Sequence, residues 1–493
     1  MSTSNTRRIT AWFRPDVVVN IFGLLIALGV AAWLADRLTA GQEFKALATV
    51  VLVAVMVAIV ARPRFGFLLW LAIAPFSSIF VWKMGSGLPD LGLHRLAALV
   101  TLFVLVAQAA TGQRRFARLT GVDVAAALFI IGMALSVPAS RLGIVGGAQY
   151  LFDFIVIPLL VYFFARELLR GPRGIQQAAV VLALVGALLG LFAVREQLTN
   201  QPFLSPIPFR WTYGPDIWKL TSFFGAPATL SLTLVMTVPL VLVAATRPGP
   251  AASRLLWGAA LIMALAGIWQ AYVRAGWLSA AAAIAIVILL SPTARRYSPR
   301  LILAALVLIA ILGSRFIPQT LNGSGGFVNS NALRSRLWSE GPIDYRRDAL
   351  RVGLEIAGKS PIWGLGLDNF GQGAANTSWA FSQSIEVRIG TWDVAPHNNY
   401  IYLLTSAGLV GLLSYLALLA AIGWRGFRGW RHAGRSPGGD QGPWAALLAT
   451  LIAYAIFSYT FDVINAQLAS MLLFLVVGAV LAPREAARGE TRA

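Results

Sequence analysis

Residues Ala226 to Ala245 read APATLSLTLVMTVPLVLVAA, twenty positions without a charge. At a rise of about 1.5 Å per residue, such a run crosses the roughly 30 Å of bilayer hydrocarbon as one α-helix. The same kind of block recurs along the chain, as VVVNIFGLLIALGVAAWLA from Val17 and ALATVVLVAVMVAIVA from Ala46. A membrane barrel would show alternation of polar and apolar residues instead of solid runs. Composition agrees: 58% of residues are hydrophobic, only 12% are charged, and the mean hydropathy is +0.72. A soluble chain of this length needs more polar surface. The expectation is an all-α polytopic membrane protein.

The net charge of +20 invites a nucleic-acid reading. A nucleic-acid binder gathers Lys and Arg on one soluble face. Here they sit in short clusters between apolar blocks, so no nucleic-acid partner is expected. With no cysteine in the chain, disulfides, thiolate metal sites and cysteine nucleophiles are excluded. No cleavable leader is expected, because the first apolar run is long enough to span.

Apolar blocks predict about fourteen spans, at 17–35, 46–61, 65–82, 95–111, 121–138, 144–165, 175–193, 226–246, 254–273, 277–291, 301–314, 399–423, 443–461 and 464–482. Alternate connections are basic: Arg7, Arg8 and Arg14; Arg62 and Arg64; Arg114, Arg115 and Arg118; Arg166, Arg170 and Arg173. The series continues with Arg247 and Arg254, then Arg295, Arg296 and Arg300, and closes with Arg425, Arg428, Arg431 and Arg435 and the tail. By the positive-inside rule, both termini are expected in the cytoplasm. The chain then divides into 1–314 with about eleven spans, a large outer loop 315–398, a further membrane unit 399–482 of about three spans, and a cytoplasmic tail 483–493.

Loops of that length carry function more often than mere connection. Within it, Ile343 to Gly358 predicts a helix stopped by Gly358 and Pro361. A helical wheel places Leu350, Leu354 and Ala357 on its apolar face, Asp348, Arg351 and Glu355 opposite in water, and Arg346 beside the apolar stripe.

This topology sends several rare polar residues to the outer side although they are distant in sequence. They are Arg195 and Glu196, Lys219, Arg274, Arg346 with Arg347, and His397 with Asn398 and Tyr400. Each has a plain reading. Arg274 could snorkel to the interface, Arg346 could be a solvated charge, Glu196 could pair with Arg195, and His397 or Asn398 could cap the following helix. Yet Arg274 lies outside, against the charge bias, in a very short turn. His94 and His432 read as incidental. Fixed guanidinium groups suit a phosphate or diphosphate, and a near-neutral imidazole suits removal of a hydroxyl proton. Together they point to displacement at a carbon bearing a phosphate leaving group. Paired glycosidase carboxylates, a metal-ligand cluster and a Walker-type loop are all missing from the sequence, so neither metal nor cofactor is expected.

The stretch RRDALRVGLEIAGKSPIWGLGLDNFG, followed by APHNNYIYLLTSAGLVGLL, resembles the signature of the O-antigen ligase and Wzy-type polymerase superfamily. Arg346 matches the family Arg by its spacing to Pro361; Pro361, Gly364 and Gly366 match the Pro-x-x-Gly-x-Gly turn. His397, Asn398, Tyr400 and Gly408 match the second block. VRAGWLS resembles the family's Ser-Arg-Gly-x-x-Leu pattern and places Arg274 on its Arg, with Val273 and Ala275 departing from it. KLTSFFGAPATLSLTL resembles a further segment, with Ala226 where Asn is usual. The resemblance covers Arg346 to Leu413 closely and Glu196 to Leu278 more loosely. It implies a GT-C-like fold in the bacterial inner membrane with a periplasmic site. There, a glycan would pass from an undecaprenyl diphosphate carrier to a lipid A core or a growing glycan, with inversion and without a metal. His397 would activate the acceptor, and Arg274 and Arg346 would hold the diphosphate. Arg347, Asn398, Glu196, Arg195, Lys219 and Tyr400 would contact substrate.

Ligation and polymerisation use nearly the same residues, so a Wzy-type polymerase stands close behind a ligase. A transporter of lipid-linked glycans is the rival of another class and predicts ionisable residues in mid-span; Asp153 is its chief candidate.

Overall fold

The computed structural model describes residues 43–82, 90–199, 224, 226–297, 341–375, 377 and 395–483. The expected spans at 17–35 and 301–314, and Lys219, lie outside them. The order is α1 (Glu43–Ala61), α2 (Pro63–Ile73), a two-residue hairpin of β1 (Val81–Trp82) and β2 (Leu91–Gly92), α3 (Leu93–Ala110) and α4 (Gly121–Ala134). Next, α5 (Gly143–Leu151) runs through a π-helical turn at Phe152–Val156 into α6 (Ile157–Leu168). Then come α7 (Gly171–Thr199), α8 (Pro227–Thr246), α9 (Ala251–Gln270) and α10 (Arg274–Leu290). The segment after α10 contributes α11 (Gly341–Lys359) and α12 (Phe370–Ala375), followed by α13 (Asn399–Arg435), α14 (Gly442–Ser458) and α15 (Gln467–Leu481).

Among the described residues, six helical stretches are long and apolar enough to cross a membrane: Leu93–Ala110, Gly143–Leu168, Gly171–Gln197, Pro227–Thr246, Ala251–Gln270 and Asn399–Arg435. The other expected spans among the described residues coincide with shorter apolar helices. α8 sits at the centre, buried along most of its length between α7, α9, α10 and α14. Small residues let the helices close up, as expected where lipid supplies no hydrophobic drive between them. On α7, a Cβ at Gly190 would lie 2.0 Å from the Met263 carbonyl of α9.

The basic connections meet at one end. Arg114 donates to the Glu167 carbonyl at 3.0 Å, Arg170 to the Glu167 carboxylate at 2.8 Å, Arg166 to Asp123, and Arg247 to Asp440 at 2.5 Å. Arg64 reaches Gln177 at 2.6 Å. These bonds tie the α3–α4 connection to the α6–α7 one and the α8–α9 connection to the α13–α14 one, and the candidate residues lie at the opposite end.

α13 is broken at that opposite end. Gly408 adopts φ 63° and ψ −160°, which ends the helical ladder in mid-element. Broken backbone at membrane depth is tolerated only where protein re-satisfies it. The turn Pro361–Gly366 does so: Leu365 and Gly366 donate to the carbonyls of Thr405 and Ser406 at 2.7 and 3.0 Å. The amides of Leu409 and Val410 in turn donate to Pro361 and Ile362 at 2.8 and 3.3 Å. The approach is so close that a Cβ on Gly408 would lie 2.2 Å from the Ile362 oxygen, and one on Gly366 2.1 Å from the Ala139 oxygen. Because of the break, Asn399–Ala407 folds back on the rest of α13, and the ring of Tyr400 comes within 6.3 Å of that of Tyr415.

The buried face of α11 differs from the wheel expectation. Ala349, Val352 and Ile356 are its buried face, packed on Phe370, Ala374 and Ile401, whereas Leu354 is 55% exposed and Asp348 is buried. Close docking selects this face: a Cβ on Gly353 would lie 2.3 Å from Ile401, so the small residues face α13 and the bulky Leu354 turns out.

We expect Gly408→Ala to lower the unfolding temperature of the detergent-purified protein, by about 1–3 kcal/mol in stability from strain at positive φ alone, with the backbone collision added. Gly358→Ala, which meets nothing within 4 Å, should leave it unchanged. Equal unfolding curves for the two variants would contradict the stitched break.

Candidate functional site

Three cationic or titratable side chains from three elements meet at the end that carries the break. The turn between α9 and α10 holds Tyr272 at φ 51°, a buried non-glycine residue in left-handed backbone. Such backbone costs about 1–3 kcal/mol and concentrates at functional sites. It delivers Arg274 as the first residue of α10. A cation there works against the helix dipole, so helix stability alone gives no reason for it.

Arg346 comes from the first half of α11 and is partly buried; its Nε is fully buried with no hydrogen-bond partner. Burial holds its guanidinium pKa below the ordinary value, and the charge of Arg274 lowers it further. The two cations are therefore close enough to repel. An anion between them would relieve that repulsion and satisfy the orphaned donor.

His397 sits at φ 49°, again left-handed, just before α13. Its amide and that of Asn398 donate to the two oxygens of Asp462, at 3.3 and 2.9 Å. Asp462 lies in the short connection between α14 and α15 and is 3% exposed. Burial lifts its pKa to about 7, although both amides pull it down. Tyr345, one residue before Arg346, lies 5.4 Å from the imidazole with the rings at 52° and ties its hydroxyl to the Ala395 carbonyl at 2.8 Å. Burial first, and the Arg346 charge second, hold the His397 pKa below 6.5. The imidazole is thus neutral at neutral pH, as a general base requires.

The remaining sequence candidates have surroundings of their own. Asn398 caps α13, its Oδ1 accepting from the amides of Tyr400 and Ile401 at 3.0 and 3.2 Å. Tyr400 turns its hydroxyl to the Ala455 carbonyl at 3.0 Å. Arg347 is exposed. Arg195 is partly buried, and Glu196 is fully buried at the end of α7, level with Gln270 because α7 and α9 run side by side. Asp153 lies in the π-helical turn with both oxygens on Arg95, at 2.7 and 2.5 Å. His94 accepts from the Trp70 indole at 3.1 Å inside the bundle.

Sequence reasoning passed over Asp462 and Tyr345. The signal for Asp462 was present in YTFDVINAQ, a short polar connection holding one acid between two apolar spans.

Fold and site together define a polytopic helical membrane protein with two neighbouring guanidinium groups and a neutral imidazole at one end. Residues 258–416 match the family described as O-Antigen ligase, a stretch that contains Arg274, Arg346 and His397. This match over part of the chain supports a likeness to the O-antigen ligase superfamily. No curated protein matches the chain.

The electrostatics predict the titration of His397. Protein labelled at its three histidines should show by NMR a midpoint below 6.5 that moves upward in Arg346→Met, because removing a positive neighbour favours the imidazolium. A midpoint above 6.5, or one indifferent to Arg346, would contradict the arrangement.

Proposed function

We propose that the protein transfers a glycan from undecaprenyl diphosphate to an acceptor hydroxyl at the periplasmic face of the bacterial inner membrane, most simply as an O-antigen ligase. The family match over 258–416 supports the glycan-transfer class. The observation that carries the mechanism is the buried, unpartnered Nε of Arg346 beside Arg274 and a neutral His397.

In this reading, the donor diphosphate lies between Arg274 and Arg346. Neutral His397 takes the proton from the acceptor hydroxyl as its oxygen attacks the anomeric carbon from the face opposite the phosphate. The new glycosidic bond forms while the bond from carbon to phosphate oxygen breaks. Its electron pair leaves with undecaprenyl diphosphate, whose added negative charge the guanidinium groups stabilise, as an oxyanion hole would. The step inverts configuration and leaves the proton on His397, to be released to solvent. No metal is required, since the two cations supply the charge. Asp462, Asn398 and Tyr400 frame the imidazole, and Glu196 and Arg195 border the same end. The basic connections at the other end orient the site outward by the positive-inside rule.

In proteoliposomes supplied with undecaprenyl-diphosphate glycan and rough lipopolysaccharide, we expect His397→Ala to lower turnover by about 10²–10⁴-fold and Arg346→Ala by about 10²–10³-fold, with unchanged insertion. A discrete adduct marks ligation, and a ladder without added acceptor marks polymerisation. Normal transfer by both variants would sink the mechanism.

A further inference from the structure

Transfer needs two partners at one imidazole, and the Arg274–Arg346 pair accounts for only one of them. A second polar wall approaches His397 from other elements. Tyr402, five residues beyond His397 on α13, donates its hydroxyl to that of Tyr150 on α5 at 2.8 Å, and Tyr150 donates to the side-chain oxygen of Asn465. Asn465 is exposed and sits in the same turn as Asp462, with its amide donating to the Asp462 carbonyl at 3.0 Å. The chain of hydroxyls therefore starts inside the bundle, passes beside the carboxylate that anchors His397, and opens to solvent at an amide.

Two ion pairs flank this chain. Arg141 bonds Asp368 at 3.3 Å, next to the turn that docks on the α13 break, and the Arg141 amide donates to the Leu367 carbonyl at 3.3 Å. Arg95 holds Asp153 through both oxygens, and Gln467 clamps the Asp153 carbonyl at 2.6 Å in the π-helical turn. Such π-turns free carbonyls and mark functional sites. Tyr150 also packs its ring on Phe154 at 4.8 Å.

The two walls differ in charge. Each Arg of the second wall is answered by an Asp. A charge-balanced surface of hydroxyls, one amide and aromatic faces does not select a diphosphate. It suits a neutral polyol, whose many hydroxyls both donate and accept. The ring faces of Tyr150 and Phe154 add apolar contact with a polar edge.

We infer that Tyr150 and Asn465, backed by the buried Tyr402 and bordered by Arg141–Asp368 and Arg95–Asp153, form the acceptor subsite, holding the hydroxyls of an uncharged saccharide so that one free hydroxyl reaches His397. This assignment rests on the glycan-transfer reading. A sugar of the lipid A core and the end of a growing glycan share this chemistry.

Tyr150→Phe and Asn465→Ala test it in the proteoliposome assay, with donor and acceptor varied separately. Loss of one hydrogen bond, about 1.4 kcal/mol, raises the acceptor KM about tenfold, while the donor KM stays within twofold; Arg346→Ala does the reverse. A rise in donor KM instead, or no change in either, overturns the subsite. Rough lipopolysaccharide as acceptor against donor alone tells which saccharide occupies it. A readout without turnover separates this proposal from the parent one. Saturation-transfer NMR with dephosphorylated core oligosaccharide and with free repeat-unit glycan should show contact in wild type and Arg346→Ala, lost in Tyr150→Phe. If contact appears but wild type transfers nothing, the glycan-transfer reading fails and the saccharide site stands. Contact in no protein, or equally in all, overturns the subsite.

Discussion

The break at Gly408, stitched by four backbone hydrogen bonds to the turn Pro361–Gly366, is the constraint on which the site depends. Membrane helices close their own hydrogen bonds, so an open break must be answered from outside. Here the answering turn belongs to the segment between α10 and α13. Its register on α13 is therefore set by main chain at fixed positions and not by adjustable side chains. The helix that carries Arg346 is held rigidly against the helix that follows His397, and Gly353 on Ile401 confirms how closely they sit. Glycine at 364, 366 and 408 is then a requirement of approach, since a Cβ at any of them would strike backbone.

A rigid frame matters because the site stores opposition. Two guanidinium groups repel, an arginine donor is buried without an acceptor, and two non-glycine residues, Tyr272 and His397, hold left-handed backbone. Each feature is unfavourable alone and persists because the surroundings fix it. Asp462 is the clearest case: a buried carboxylate gripping two consecutive amides holds His397 in a conformation it would not choose. In the proposed reading, a neutral imidazole lies between a cationic wall and a charge-balanced one, an arrangement that matches a charged donor and an uncharged acceptor.

Much of this was legible in the chain. Run length located the helices, because hydrocarbon thickness allows few solutions, and alternation of arginines sorted their ends. Asn398 caps α13, which was one of the plain readings open to it and to His397, since such chemistry is local. What escaped was what only the fold brings together. Asp462 meets His397 across 65 residues, and Asp153 meets Arg95, 58 residues before it. The α11 face was misread for a different reason. A wheel weighs hydrophobicity, so it favoured Leu354, whereas tight helix contact selected Ala349 and Gly353.

The most direct measurement is a cryo-electron microscopy structure of the protein in nanodiscs with undecaprenyl diphosphate bound. The account predicts density for two phosphates between Arg274 and Arg346, within hydrogen-bond reach of the Arg346 Nε and on the side of His397 away from Tyr150. Phosphate density elsewhere in the bundle, with that guanidinium pair empty, would contradict it.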